Sequence, residues 1–395
     1  MYDVPIMQSY RIIDETIKKF NEKNEINVKY EYGILKKDYS EWLSEKIIQG
    51  EIPDIFVILE EDFNNFSSLG ILEPLDSKIK KDKDFDKNKY YEQAINSGKF
   101  EGKQYAIPME IDPVLLFVNK SLMKKEGIKI DKNNWTWEEF YKICKKVTKD
   151  TNNDGILDQF GVVNVTWQDL VYTNGQSLFS SDGKNSEFSK KGVVEAISFA
   201  KKLYQLNNNR KVSIDDFNNG NVLFKPFPFS WYRVYNSYPY RIIRYSGFDW
   251  ECIKLPKGPK GKNSSELKSF LIGISSKSKN KDKAWKFLKF LSSNSDIQMD
   301  IFKYSQGVPV LKSVTESKQA DKELKQYNPE KEVSIDTKIL SEIIEDSIVT
   351  PKFENYEKVM RLADLNINQI IIEDLNIEEN LEKLDKELNE LLNNK

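Results

Sequence analysis

The spacing of apolar and polar positions changes period several times along the chain, and each change marks an element. From residue 8 to 23, QSYRIIDETIKKFNEK puts Ile13, Ile17 and Phe20 on one helical face. INVKYEYG at 26–33 alternates as a half-buried strand does and stops at Gly33. A polar helix is predicted from Tyr39 to Gln49, with Gly50 where a C-terminal glycine belongs. IPDIFVILEED turns at Pro53 and Asp54 into the continuous apolar run IFVIL, which predicts a strand buried on both faces, as in a parallel sheet. FNNFSSLG predicts a short helix ended by Gly70. The first 110 residues therefore alternate helix and strand, the pattern of an α/β lobe.

The next segment, GKQYAIPMEIDPVLLFVNK, predicts two extended runs, YAIP and VLLFV, split at Met109 to Pro113. Pro108 and Pro113 both bias their preceding residues toward extended backbone. A second alternation follows. It comprises a helix near 137–149, the strand FGVV, a helix near 190–206, an aromatic-rich block, the strand SFLIGISS and the helix KDKAWKFLKFLSS. The chain beyond about 335 reads as helical. Leu381, Leu384, Leu388 and Leu391 recur there at three-to-four spacing, and Asn376 is placed as a cap.

Composition narrows the chemistry. With 395 residues the chain is long enough for two domains, each with its own core. The 60 basic and 62 acidic residues leave a net charge of -2, so no strong field draws in nucleic acid. There is no histidine, which removes histidine-based nucleophile activation and histidine-zinc sites. Cys144 and Cys252 read as two isolated buried thiols more readily than as a disulfide. No apolar run reaches the length of a membrane span.

Several stretches carry candidate chemistry. Residues 224–250 hold eleven aromatics in twenty-seven positions, against 12% for the whole chain. Flat rings offer large apolar contact faces, and carboxylates offer hydrogen-bond acceptors. Glu110 and Asp112, two apart in an extended segment, place both side chains on one face. Glu60, Glu61 and Asp62 follow IFVIL at the strand end where open α/β sheets take ligands, with Glu60 the favoured contact; they are also ordinary first-turn helix acids. DTNNDGILD puts Asp150, Asn152, Asp154 and Asp158 at positions one, three, five and nine of a calcium-type loop, with Gly155 at six. Position twelve is Gly161, so the bidentate glutamate is missing, and a polar turn competes with a structural calcium site.

Taken in order, GEIPDIFVI, GILEPLD, GKQYAIP…LLFVNKSLMKKEGI, WTWEEFYKICKKVT, DTNNDGILDQFGV, TNGQSLFSSDG, AWKFLKFLSS and GVPVLKS resemble the extracellular solute-binding proteins of ABC transporters. The resemblance is to the large carbohydrate-binding family related to maltose-binding protein, and it covers nearly the whole chain. It implies a type II periplasmic-binding-protein fold: two α/β lobes joined by hinge crossovers, with the ligand cleft between them. The expected lobes are 1–111 with 270–308, and 112–269 with 309–395. The resemblance also implies a monomer outside the membrane that captures a sugar or oligosaccharide and delivers it to membrane permease subunits. No cofactor is expected beyond the possible calcium.

The expected ligand contacts are Trp231 first, then Tyr232, Arg233 and Trp167, together with Glu110, Asp112 and Glu60. Tyr2 and Asp3 join them where the family's first loop reaches its ligand. The family's opening strand, signal peptide and lipid-bearing cysteine have no counterpart after Met1, which raises the expectation of a longer natural precursor with a lipid tether. Two other functions compete: a glycoside hydrolase built on a carboxylate pair, and a binding protein that serves a sensor kinase.

Overall fold

The computed structural model describes residues 4–31, 33–132, 135–236, 247–326 and 335–393. The chain forms two compact α/β units, each built from separate stretches of sequence. Unit 1 comprises Met1–Asp112, Leu267–Glu323 and Lys352–Asn355, and unit 2 comprises Pro113–Glu266, Leu324–Pro351 and Tyr356–Lys395. Residues 309–323 were expected in the second lobe but belong to unit 1. The backbone explains this: Tyr91 N–H donates to the Val310 carbonyl, and Val310 N–H donates to the buried Gln298 side chain.

Among the described residues, nine strands follow one another in the sequence: β1 (Ile55–Ile58), β2 (Lys99–Phe100), β3 (Lys103–Gln104), β4 (Ala106–Asn119), β5 (Phe160–Val162), β6 (Val222–Pro228), β7 (Trp250–Ile253), β8 (Leu267–Ile274) and β9 (Val308–Pro309). In unit 1, β1 pairs antiparallel with β8 from Ile55↔Ile274 to Ile58↔Leu271. β9 pairs with β4 at Glu110↔Pro309 and Ile111↔Val308. In unit 2, β6 flanks β4 from Val114↔Pro228 to Val118↔Phe224, and β7 flanks it from Leu116↔Ile253 to Asn119↔Trp250. β5 runs parallel to β6.

Four expectations change. IFVIL is not a doubly buried parallel strand. β1 ends the strand order, runs antiparallel to its neighbour, and buries only Phe56 and Ile58 fully. The segment 102–119 does not break at Met109 to Pro113, because β4 continues through both prolines. The first helix starts at Val4 and includes Pro5 (first-turn N–H groups have no helical partner, so proline costs little there). Among the described residues of 26–33 there is no ladder strand, although exposure alternates from Ile26 to Glu31 as the pattern requires. Period alone does not make a strand; a neighbouring backbone must supply the hydrogen bonds.

Unit 1 packs the helix Lys36–Gln49 and the helix Glu60–Ser68 over its sheet through Leu43, Phe63 and Phe66, against Phe56, Ile58 and Leu271. Gly50 ends the first of these helices at φ 74, as the sequence predicts. Unit 2 packs the helix Trp137–Val147, capped by the Thr136 hydroxyl, onto its strands. The contact is so close that a Cβ on Gly161 would lie 2.4 Å from the Cα of Cys144. The C-terminal helix Ile377–Asn393 buries Leu381, Leu384 and Leu388, and Asn376 caps it by accepting from Glu379 N–H.

Candidate functional site

The aromatic block divides into core and surface. Phe224 and Phe227 lie on β6, which is buried on both faces from Val222 to Phe227. Phe117 of β4 is the hub. Its ring makes edge contacts with Phe217, Phe227 and Phe248 and stacks on Trp250 at 4.8 Å. The helix Phe229–Asn236 follows β6 directly, and its first turn sets Phe229 inward and Trp231 outward. Among the block's described rings, Trp231 alone is exposed, at 48%. Tyr235, Tyr238, Tyr240 and Tyr245 have side chains outside the described residues.

Beneath Trp231 sits Lys225. Its ammonium nitrogen lies 5.8 Å from the Trp231 ring centroid and 4.7 Å from that of Phe217. The lysine is buried, and loss of water around its charge lowers its pKa to about 8. A cation over a ring face is attracted to the ring's negative quadrupole, so the lysine holds its charge against these rings at a desolvation cost. Sequence reading missed Lys225. The only signal was one lysine inside the otherwise apolar run VLFKPFPF.

Three other expected contacts of unit 2 are internal. Tyr232 is 3% exposed, stacks on Phe229 and meets Trp250 edge-on. Arg233 is 5% exposed, with its guanidinium 5.4 Å from the Phe229 ring centroid. Successive residues on a helix point about 100° apart, so Trp231 faces out while its two neighbours turn into the unit. Trp167 opens the helix Trp167–Thr173. It is 4% exposed, packs on Phe188, and donates its indole N–H to Asp364. Its ring supports the packing of unit 2 and is not presented at the surface.

In unit 1 the acidic candidates separate clearly. Glu60 begins the helix that follows β1, and two lysines from distant sequence reach it: Lys268 at 3.8 Å and the buried Lys352 at 3.7 Å. Sequence reading missed both, because nothing local ties either to residue 60. Asp62 turns the other way and accepts a hydrogen bond from the Ser40 hydroxyl at 2.7 Å; burial raises its pKa, with that bond acting in opposition. Glu61 is exposed. Glu110 and Asp112 lie on β4 itself, half-buried on the same face, with the fully buried Ile111 pointing to the other. The Ser305 hydroxyl donates to Glu110 Oε2. Tyr2 and Asp3 lie outside the described residues.

The loop 150–158 closes on itself. Asp150 accepts from the N–H groups of Asn152, Asn153 and Gly155. Asp154 accepts from Ile156 N–H, and Asp158 accepts from both the N–H and the hydroxyl of Thr151. Those bonds hold the Asp158 carboxyl below its ordinary range. Among the described residues no group of three or more His, Cys, Asp or Glu side chains stands where it could hold a metal ion. Cys144 and Cys252 are both buried and not joined in a disulfide, and burial pushes the Cys144 thiol well up.

Unit 2 by itself presents an outward indole, and unit 1 by itself presents paired carboxylate and ammonium groups. Comparison with known proteins agrees with a binding role. A Bacillus subtilis galactooligosaccharide-binding protein is 24% identical over 316 residues, 76% of this chain and 70% of that protein. An ABC substrate-binding protein from Listeria monocytogenes, solved in complex with cycloalternan, superposes with a TM-score of 0.75 at 22% identity, covering 98% of this chain and 96% of that one. The cyclic alpha-maltosyl-1,6-maltose binding protein from Arthrobacter globiformis gives 0.82 at 15% identity, covering 98% and 97%. These structures show the fold. The family model for bacterial extracellular solute-binding proteins matches residues 5–297, most of the chain. The protein therefore belongs to the bacterial extracellular solute-binding protein family, whose members bind substrates and are not enzymes.

Proposed function

We propose that this protein captures a sugar or oligosaccharide outside the membrane, as a monomer, and delivers it to the permease of an ABC transporter. The observation that carries this reading is Trp231, the one exposed indole among the described rings of a ring-rich block. An indole face buries a large flat area at small entropic cost, which suits the CH faces of a sugar ring. Glu110, Asp112 and Glu60 are the proposed hydroxyl acceptors, with Lys268 and Lys352 as donors beside Glu60. The named relative is a galactooligosaccharide-binding protein, and the two named neighbours are one solved with cycloalternan and a cyclic alpha-maltosyl-1,6-maltose binding protein, which supports an oligosaccharide as the ligand class.

The test is a thermal-shift panel with maltotriose, mannotriose, cycloalternan and a galactooligosaccharide, alongside amino acids and a tripeptide. A ligand present at 100 times its Kd adds about 2.7 kcal/mol to stability. A shift confined to one or more of the sugars is expected. A shift with the tripeptide and none with any sugar would overturn the reading.

A further inference from the structure

Glu110 is held by more of unit 1 than a solvent-facing strand residue needs. Its backbone is paired through β9, at Glu110↔Pro309 and Ile111↔Val308. One position beyond the Glu110↔Pro309 pair, the fully buried Gln298 ties the two segments together again. Its Nε2 donates to the Met109 carbonyl at 3.0 Å, and its Oε1 accepts from Val310 N–H at 2.8 Å. The same Nε2 also donates to the Leu291 carbonyl, anchoring this junction to the helix Lys281–Ser293.

The side chain is held as well. Ser305, which ends the helix Ser295–Tyr304, donates its hydroxyl to Glu110 Oε2. Two residues later the chain passes directly against the same carboxyl group. A Cβ on Gly307 would lie 2.9 Å from Glu110 Cδ and 3.0 Å from both Cγ and Oε2. Any side chain at 307 would therefore push the carboxylate out of its place.

We infer that Ser305 and Gly307 form a seat for the Glu110 carboxylate, which makes Ser305 a positioning residue for ligand recognition; this rests on Glu110 being a sugar contact. A glutamate side chain has three rotatable bonds, and ordering them on binding costs free energy. The serine hydroxyl pins one oxygen, and the bare glycine leaves room for one placement. The carboxylate is then ordered before ligand arrives. Ionised, it offers acceptor sites and no donor, so it selects for neighbouring hydroxyl groups that both donate. Sugars that lack one of those hydroxyls lose more on this seat than they would on a mobile side chain.

The experiment is calorimetric titration with whichever of maltotriose, mannotriose, cycloalternan or the galactooligosaccharide gives the largest thermal shift. It uses the wild type and the variants Glu110→Gln, Ser305→Ala, Ser305→Thr, Gly307→Ala and the double Glu110→Gln/Ser305→Ala. Loss of one hydrogen bond that orders a charged acceptor predicts a Kd about 5 to 15 times higher for Ser305→Ala. Ser305→Thr, which keeps the hydroxyl, should restore the Kd to within about 2-fold. Gly307→Ala reaches Glu110 without touching Ser305 and should weaken binding at least as much as Ser305→Ala. In the Glu110→Gln background, removing the Ser305 hydroxyl should have much less effect. Weakened binding by Glu110→Gln with wild-type affinity for Ser305→Ala and Gly307→Ala would overturn the seat and leave Glu110 as a contact. Wild-type affinity for Glu110→Gln would overturn both, as would a panel in which no sugar binds.

Discussion

Trp167 donates its indole N–H to Asp364 Oδ1 at 2.8 Å, joining residues 197 positions apart inside unit 2. Asp364 also accepts from Gln168 Nε2 at 2.8 Å, so this one carboxylate receives two donors from the start of a helix. The tryptophan is thus a structural tie. Trp167→Phe should cost about 1 kcal/mol through the lost hydrogen bond. Trp167→Ala should cost about 3–5 kcal/mol through the cavity it leaves. Urea denaturation measures both. Sugar affinity should be unchanged in Trp167→Phe, and a tenfold loss of affinity at wild-type stability would return Trp167 to the ligand surface.

Trp231 should behave in the opposite way. The residue is about half exposed, so Trp231→Ala should leave the melting temperature nearly unchanged. Loss of a stacking face should weaken sugar binding by about 1–3 kcal/mol, on the scale of base–aromatic stacking. Trp231→Phe, which keeps a smaller flat face, should fall between. If Trp231→Ala instead unfolds several degrees earlier and binds sugar normally, its ring is packing and not platform.

Lys225 gives a pH signature. Burial lowers its pKa from 10.5 to about 8. Below pH 8 both folded and unfolded states carry the charge, and the full cost of burying it stands. Between about 8 and 10.5 the unfolded state holds more protons, so the stability contributed by this residue rises with pH across that window. Lys225→Met, of similar length and uncharged, should lose that rise. Guanidinium denaturation of both proteins at about pH 7 and about pH 9.5 should show the wild type gaining on the variant at the higher pH. Identical pH dependence in the two would contradict the burial of a charged lysine.

What the sequence determined by itself is what depends on neighbours a few positions away. The amphipathic face of 377–393, its Asn376 cap, the Thr136-capped helix and the glycine after Gln49 are all set by contacts within one or two turns. The order of its segments was enough to indicate the family and two α/β units. The ring-dense block was legible in the sequence, though the pattern could not say that Trp231 faces out while Tyr232 and Arg233 turn inward. The tertiary structure alone decided which strands find a ladder. The alternating residues of 26–31 have none, whereas β4 runs through two prolines because partners lie along it. It also decided the electrostatic company of each carboxylate: Ser305 reaches Glu110 across 195 positions, and Lys268 and Lys352 converge on Glu60. Such pairings are made when distant segments pack, and a local pattern of hydrophobic and polar residues carries no record of the partner.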